Sequence, residues 1–346
     1  MRNLLTVLIA VAWLSPAAVS HAQAAARHKM IIAHRGASGY LPEHTLPAKA
    51  MAYAMGADFL EQDVVLSKDG IPMVLHDHQL DAVTDVATRF PGRQRADQRF
   101  YVIDFTLAEL KTLRVTERFH VRHNFGQPVY PKRFPMGKSS FQISTLEEEL
   151  QMIQGLNQST GRDVGLSVEI KRPAWHRKQG QDISTGVLEV LARYGYKNKN
   201  DHFHLQCFEF PEIKRIRNEL GFQGAIFQCL GDKVAADGTD HEFLKTAEGL
   251  AELAKFADGI APAVKHVVTG DKESGLKFSN LIKLAHERGL KVFPYTCRAD
   301  ELPPCAATLE ELFDLLLIRA DADGVFTDFP DRGAAFVRSH EEAKHP

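Results

Sequence analysis

Four cysteines in 346 residues are far too few for a disulfide-built scaffold. Their positions, Cys207, Cys229, Cys297 and Cys305, match no zinc-ligand spacing. A formal net charge of -2 leaves no global basic field, so neither nucleic acid nor an anionic membrane surface is an expected partner. No G-x-G-x-x-G follows a strand-like run, which argues against dinucleotide binding. Beyond the N-terminus no stretch approaches the ~18 apolar residues of a membrane-spanning helix. What remains is a chain of ordinary composition, 25% charged and 44% hydrophobic, long enough for one large core.

The first residues read as a secretory leader. Arg2 precedes an apolar run from Leu4 to Leu14, and small residues around Ala22 and Ala24 offer the cleavage site. Residues 1–24 are therefore set apart, and an exported protein is expected. In an oxidising compartment Cys297 and Cys305, which bracket a Pro-rich loop, could pair; the sequence leaves that open.

From residue 29 to about 340 short apolar runs alternate with amphipathic segments. Thr45 before Leu46, Thr106 with Glu109, Thr145 with Glu148, and Thr308 with Glu311 are helix-start signals; Gly56, Gly161, Gly195, Gly221 and Gly289 close helices. The repeated β–α pattern predicts a TIM (β/α)8 barrel with a small insertion after strand 3, the run Met73–Leu75. Nine runs compete for eight strands, Gly259–Ala261 being the weakest of them. The insertion, about 79–143, carries 11 Lys and Arg against 6 Asp and Glu. That excess is either a solvated surface or an attraction for anionic substrates.

The chemistry gathers where the apolar runs end. His34-Arg35 follows the first, Glu61 and Asp63 lie in the second, His76 follows the third, and Glu169 and Lys171 close a later one. Side chains two apart on a strand face the same way, so Glu61 and Asp63 project together, as do Glu169 and Lys171. Three carboxylates meeting at one barrel mouth raise each other's pKa, and a hard divalent cation resolves the conflict. Separate surface salt bridges would also account for them. His34 and His76 suit proton transfer, and the Arg35 fork suits a phosphate. Each has a plainer reading, as a structural histidine or an ion pair.

Ile32-Ala33-His34-Arg35-Gly36-Ala37-Ser38-Gly39, Pro42-Glu43-His44-Thr45, Glu61-Gln62-Asp63, Leu75-His76-Asp77, Val168-Glu169-Ile170-Lys171 and Phe326-Thr327-Asp328-Phe329-Pro330 together resemble the glycerophosphodiester phosphodiesterases. Arg133-Phe134-Pro135-Met136-Gly137-Lys138 and Leu205-Gln206-Cys207-Phe208 resemble the periplasmic, calcium-using branch. The resemblance implies hydrolysis of glycerophosphodiesters, such as glycerophosphocholine or glycerophosphoethanolamine, to sn-glycerol 3-phosphate and an alcohol. It implies Ca2+, with Mg2+ as the alternative, on Glu61, Asp63 and Glu169. It implies His34 and His76 as acid and base, and Arg35, Lys171 and Glu43 around the phosphate. The partner is then a small-molecule substrate, with no stable membrane insertion; oligomeric state stays open.

Two other readings compete. A lipid-active barrel needs an apolar rim, which Phe90, Phe100, Phe105, Phe119 and Phe125 could supply, although their irregular spacing suits internal packing better. A binding protein without catalysis would lack one of the catalytic groups, and all are present.

Overall fold

The computed structural model describes residues 28–122 and 126–343. The leader and Phe125 lie outside the described residues. Eight strands run parallel: β1 (Met30–Ala33), β2 (Phe59–Leu66), β3 (Gly165–Ile170), β4 (Phe203–Cys207), β5 (Ala225–Leu230), β6 (Gly259–Pro262), β7 (Lys291–Val292) and β8 (Gly324–Thr327). Their hydrogen-bonded order is β7-β6-β5-β4-β3-β2-β1-β8. The seam between β7 and β8 is closed by single bonds, Asp323 N–H to Val292 O at 3.0 Å and Phe326 N–H to Pro294 O at 2.9 Å. Pro294 has no N–H to return a bond, so this seam lacks a regular ladder. The result is the expected TIM barrel, nearly closed, with helices outside.

Alternation divides each strand between two cores. Leu60 and Val64, Leu166, Val168 and Ile170, and Leu205 and Cys207 face the helices. Ile32, Phe59, Phe227, Phe293 and Phe326 fill the barrel interior. Gly165 and Gly259 make that plug possible: a Cβ there would meet the Phe59 ring at 2.4 Å and the Phe227 ring at 2.2 Å. Above the plug the interior positions turn polar, with Glu61, Asp63, Glu169 and Gln206 buried.

Two sequence expectations are refined. The short run at 259–262 is a true barrel strand, in parallel register with β5 from Phe227↔Gly259 to Leu230↔Pro262. The surplus strand is Pro72–Val74, which pairs antiparallel with β2. Only Ser67–Ile71 separates them, far short of the dozen or so residues a parallel crossover needs, so the chain must turn back as a hairpin. His76 therefore does not end a barrel strand; Leu75 N–H donates to Asp63 O at 2.8 Å and sets His76 beside the carboxylates.

The helix starts hold. Thr106 with Glu109 and Thr145 with Glu148 each form a reciprocal capping box, the latter opening Leu146–Thr160. His241–Leu244 and Ala247–Leu253 are two helices rather than one, because Thr246 caps a new start by accepting from Gly249 N–H. Between Leu75 and Ile143 the chain builds a second core around Leu80, Phe105, Leu110 and Leu113. Phe100 and Phe105 are buried and Phe90 packs against them, so these rings face inward rather than forming a rim. All four cysteines are free thiols, and all are buried.

Candidate active site

A cavity of about 560 Å3 opens at the barrel mouth, lined by His34, Arg35, Glu61, Asp63, His76, Glu169 and Lys171 among others. Every residue singled out from the sequence except Glu43 borders it. Glu43 borders an adjoining cavity of about 160 Å3 that shares His34, Arg35, His76 and Arg298.

Glu61 and Asp63 from β2 and Glu169 from β3 each offer an oxygen, and these atoms all lie within 4.8 Å of one another. The β2–β3 register, Asp63↔Glu169, brings them together. Glu61 accepts from Arg35 N–H at 2.8 Å and from Gln206 Nε2 at 3.1 Å. Burial, then Asp63 and Glu169, holds its pKa well above the usual carboxylate range. Burial raises Glu169 to about 7 despite Lys171 Nζ at 2.7 Å. Asp63 goes the other way: although burial opposes it, Lys171 and a hydrogen bond from His44 hold its pKa well below normal. Asp63 Oδ1 is buried and accepts no hydrogen bond. A set of hard oxygen donors that repel one another, with one buried oxygen that accepts no hydrogen bond and has Lys171 Nζ 3.6 Å away, fits a divalent cation.

The two histidines are built alike. His34 Nδ1–H donates to Asp328 Oδ1 at 2.6 Å, and its Nε2 lies 3.9 Å from Glu61 Oε2. His76 Nδ1–H donates to Asp77 Oδ1 at 2.7 Å. In both, the carboxylate occupies Nδ1 and leaves Nε2 free. Desolvation, then Arg35, lowers both pKa values, His34 to about 4 and His76 to about 3. His34 is almost fully buried, whereas a third of the His76 side chain reaches solvent.

Arg35 sits at φ 59°, a left-handed turn that directs its N–H at Glu61 and its side chain at Glu43. Glu43 accepts both Arg35 Nη1, at 3.1 Å, and a two-pronged contact from Arg118, at 2.9 and 2.7 Å. Glu43 thus steadies Arg35 rather than lining the main cavity. Arg35 Nε is buried without a hydrogen-bond partner and stands 3.8 Å from Asp63 Oδ2.

The family-model comparison matches residues 34–332 to the glycerophosphoryl diester phosphodiesterase family. The chain belongs to that family. A glycerophosphodiester phosphodiesterase of Haemophilus influenzae is 44% identical over 327 residues, covering 90% of each chain. One from Treponema pallidum is 40% identical over 329 residues, covering 90% of this chain and 92% of its own. Among solved structures, an Oleispira antarctica phosphodiesterase in complex with the product sn-glycerol-3-phosphate aligns with TM-score 0.59 at 20% identity, covering 89% of this chain and 96% of that one. A Thermotoga maritima glycerophosphodiester phosphodiesterase aligns with TM-score 0.55 at 19% identity, covering 90% and 98%. The two structures share the barrel fold.

Several site residues of this glycerophosphoryl diester phosphodiesterase family member were not legible beforehand. Asp328 and Asp77 stood in the motifs without a role. Arg118 had no signal beyond the basic excess of its segment, Arg133 stood in a motif without a role, and Arg298 lay in the Pro-rich loop between Cys297 and Cys305. His44, held at φ 58°, takes Lys49 Nζ on Nδ1 at 3.3 Å and gives Nε2–H to Asp63 Oδ2 at 2.8 Å. Lys49, fully buried, pairs with Glu149 Oε2 at 3.0 Å and donates to the Glu61 carbonyl. A sequence shows Lys49 as one more charged residue on a surface helix.

Proposed function

We propose that the chain is an exported hydrolase that cleaves glycerophosphodiesters, among them glycerophosphocholine and glycerophosphoethanolamine, to sn-glycerol 3-phosphate and the free alcohol. Two Asp-backed histidines facing one acidic triad across a single cavity carry this reading. The product complex of the Oleispira phosphodiesterase supports it.

Glu61, Asp63 and Glu169 would hold the cation. Their all-oxygen donor set suits a hard cation, Ca2+ by the resemblance to the calcium-using branch, with Mg2+ as the alternative. Bound there, it supplies positive charge to a phosphoryl oxygen. Arg35, steadied by Glu43, and Lys171 add charge and hydrogen bonds to the same group. His34 Nε2 takes the proton of the attacking hydroxyl, the substrate's own 2-hydroxyl by a cyclic phosphate or a water. The P–O bond to the alcohol then breaks, and His76 gives the departing oxygen a proton; on the cyclic route a water afterwards opens the ring to sn-glycerol 3-phosphate with the two proton transfers reversed, which restores both histidines. His76 is the more exposed of the two, on the side from which the alcohol can leave. A bound phosphate anion opposes the cations that depress its pKa, so it can carry that proton during turnover. The leader supports a periplasmic location, and among the described residues no helix is long and apolar enough to cross a membrane.

The test is release of sn-glycerol 3-phosphate from glycerophosphocholine, with chelator and then with Ca2+ or Mg2+ restored. Activity untouched by chelation overturns the metal. His34→Ala and His76→Ala should each lose more than about a hundredfold in kcat while staying folded.

A further inference from the structure

The basic residues of the inserted segment do not face solvent as a group. Arg118 and Arg133 run inward, and each ends on the aspartate behind one histidine. Arg118 Nη1 donates to Asp77 Oδ2 at 2.7 Å, while Asp77 Oδ1 holds His76. Arg133 Nη2 donates to Asp328 Oδ2 at 2.7 Å, while Asp328 Oδ1 holds His34. Arg298, from the loop between Cys297 and Cys305, adds Nε to the same Asp328 oxygen at 2.9 Å. In each dyad one carboxylate oxygen is given to arginine and the other to imidazole.

We propose, on the footing of the proposed phosphodiesterase reaction, that Arg118 and Arg133 are positioning residues through which the inserted segment fixes the tautomer and aim of His76 and His34, one arginine for each proton transfer.

The physical case rests on what each dyad faces. His76 holds Asp77 and His34 holds Asp328 through Nδ1, so the aim of each ring depends on how firmly its carboxylate is held. A carboxylate free to rotate or to take a proton could accept from neither nitrogen in particular. Tied by arginine, it keeps one fixed oxygen for Nδ1–H, and Nε2 is left bare toward the cavity. The remaining arginine donors are anchored too. Arg118 grips Glu43, and Arg133 reaches Asp300 through Nε at 2.8 Å and the Ser38 carbonyl at 3.1 Å. The Arg133 side chain is 5% exposed, so this is a packed brace and not a passing surface pair. The segment reaches both dyads from outside the barrel, so its docking and the alignment of both histidines are one event.

The two arms differ in chemistry, which gives the test. Choline leaves glycerophosphocholine as an alkoxide that needs a proton; 4-nitrophenolate leaves a 4-nitrophenyl ester of glycerol phosphate without one. Arg118→Met should lower kcat on glycerophosphocholine by roughly ten- to a hundredfold, and by under about threefold on the nitrophenyl ester. Arg133→Met should lower both by the same factor, with Arg133→Lys recovering part. Melting temperatures report folding. Independently of turnover, 15N spectra of the imidazoles should show His76 losing its Nδ1–H tautomer in Arg118→Met, and His34 in Arg133→Met. Unchanged tautomers in folded variants, or equal losses on both substrates for Arg118→Met, overturn the inference. A wild-type protein inactive on both substrates, with tautomers that respond as stated, overturns the proposed reaction instead and leaves the braces standing.

Discussion

Glu169→Gln should make the chelated protein more stable above neutral pH and less responsive to calcium. Glu169 lies within 4.8 Å of both other triad carboxylates. At an effective dielectric near 20 each such pair repels by about 3.5 kcal/mol when both are ionised. Lys171 at 2.7 Å offsets part, and the balance leaves Glu169 raised from 4.5 to about 7. The folded chain therefore keeps a proton between those values that the unfolded chain has released. Stability must fall as pH rises through that window, by about 3 kcal/mol in all. The amide of the variant carries no such proton. In chelator the variant should match wild type near pH 5 and exceed it by about 3 kcal/mol at pH 8, read as urea midpoints. With Ca2+ at a hundred times its dissociation constant, wild type should regain about 2.7 kcal/mol and the variant much less. A gap between the two that does not change from pH 5 to pH 8 would refute the crowded-carboxylate account, as would a variant less stable at pH 8 in chelator.

Two further outcomes follow from the buried network beneath the site. His204 sits among Phe59, Phe227 and Phe293 and is lowered by burial from 6.5 to about 3. It stays neutral while the unfolded chain protonates, so its contribution is intact above pH 6.5 and is lost on acidification, by up to about 5 kcal/mol at pH 3. His204→Phe should flatten the acid limb of the stability profile by about one proton; an unchanged slope refutes the assignment. Glu149→Leu strands Lys49 without its carboxylate in a fully buried position and should cost roughly 3–5 kcal/mol in a urea melt, with Lys49→Met in the same chain recovering most of it. A loss under 1 kcal/mol would mean that water reaches the pair.

Local signals carried the sequence reading where the physics is local. Thr145 and Glu148 lie three residues apart and cap one another whatever else the chain does. Glu61 and Asp63 share a face because a strand allows nothing else. The failures have the opposite character. Whether Pro72–Val74 or 259–262 closes the barrel depends on which edge each finds. The turn of Ser67–Ile71 is the one clue that the first cannot be parallel. Asp328 reaches His34 from 294 residues away. Arg118 and Arg133 come from a segment with no strand or helix period to fix their direction. The basic excess of that segment is visible in the sequence, but the target of Arg118 and Arg133 is not, since they answer carboxylates inside the protein rather than an anion outside it.

That internal compensation bears on what the site holds. The two cavities are lined by six cationic side chains, Arg35, Arg118, Arg133, Lys171, Lys265 and Arg298, and by six carboxylates, Glu43, Glu61, Asp63, Glu169, Glu301 and Asp328. With every group ionised the lining is neutral, and a divalent cation on the triad makes it +2. A phosphodiester monoanion leaves a positive charge uncancelled; a phosphate monoester with both charges cancels it. The proposed product, sn-glycerol 3-phosphate, should then bind more tightly as its second proton leaves, near pH 6. Its competitive inhibition constant should fall between pH 5.5 and pH 8 in excess Ca2+, and rise with salt. Inhibition equal at the two pH values would mean that the lining does not balance in this way.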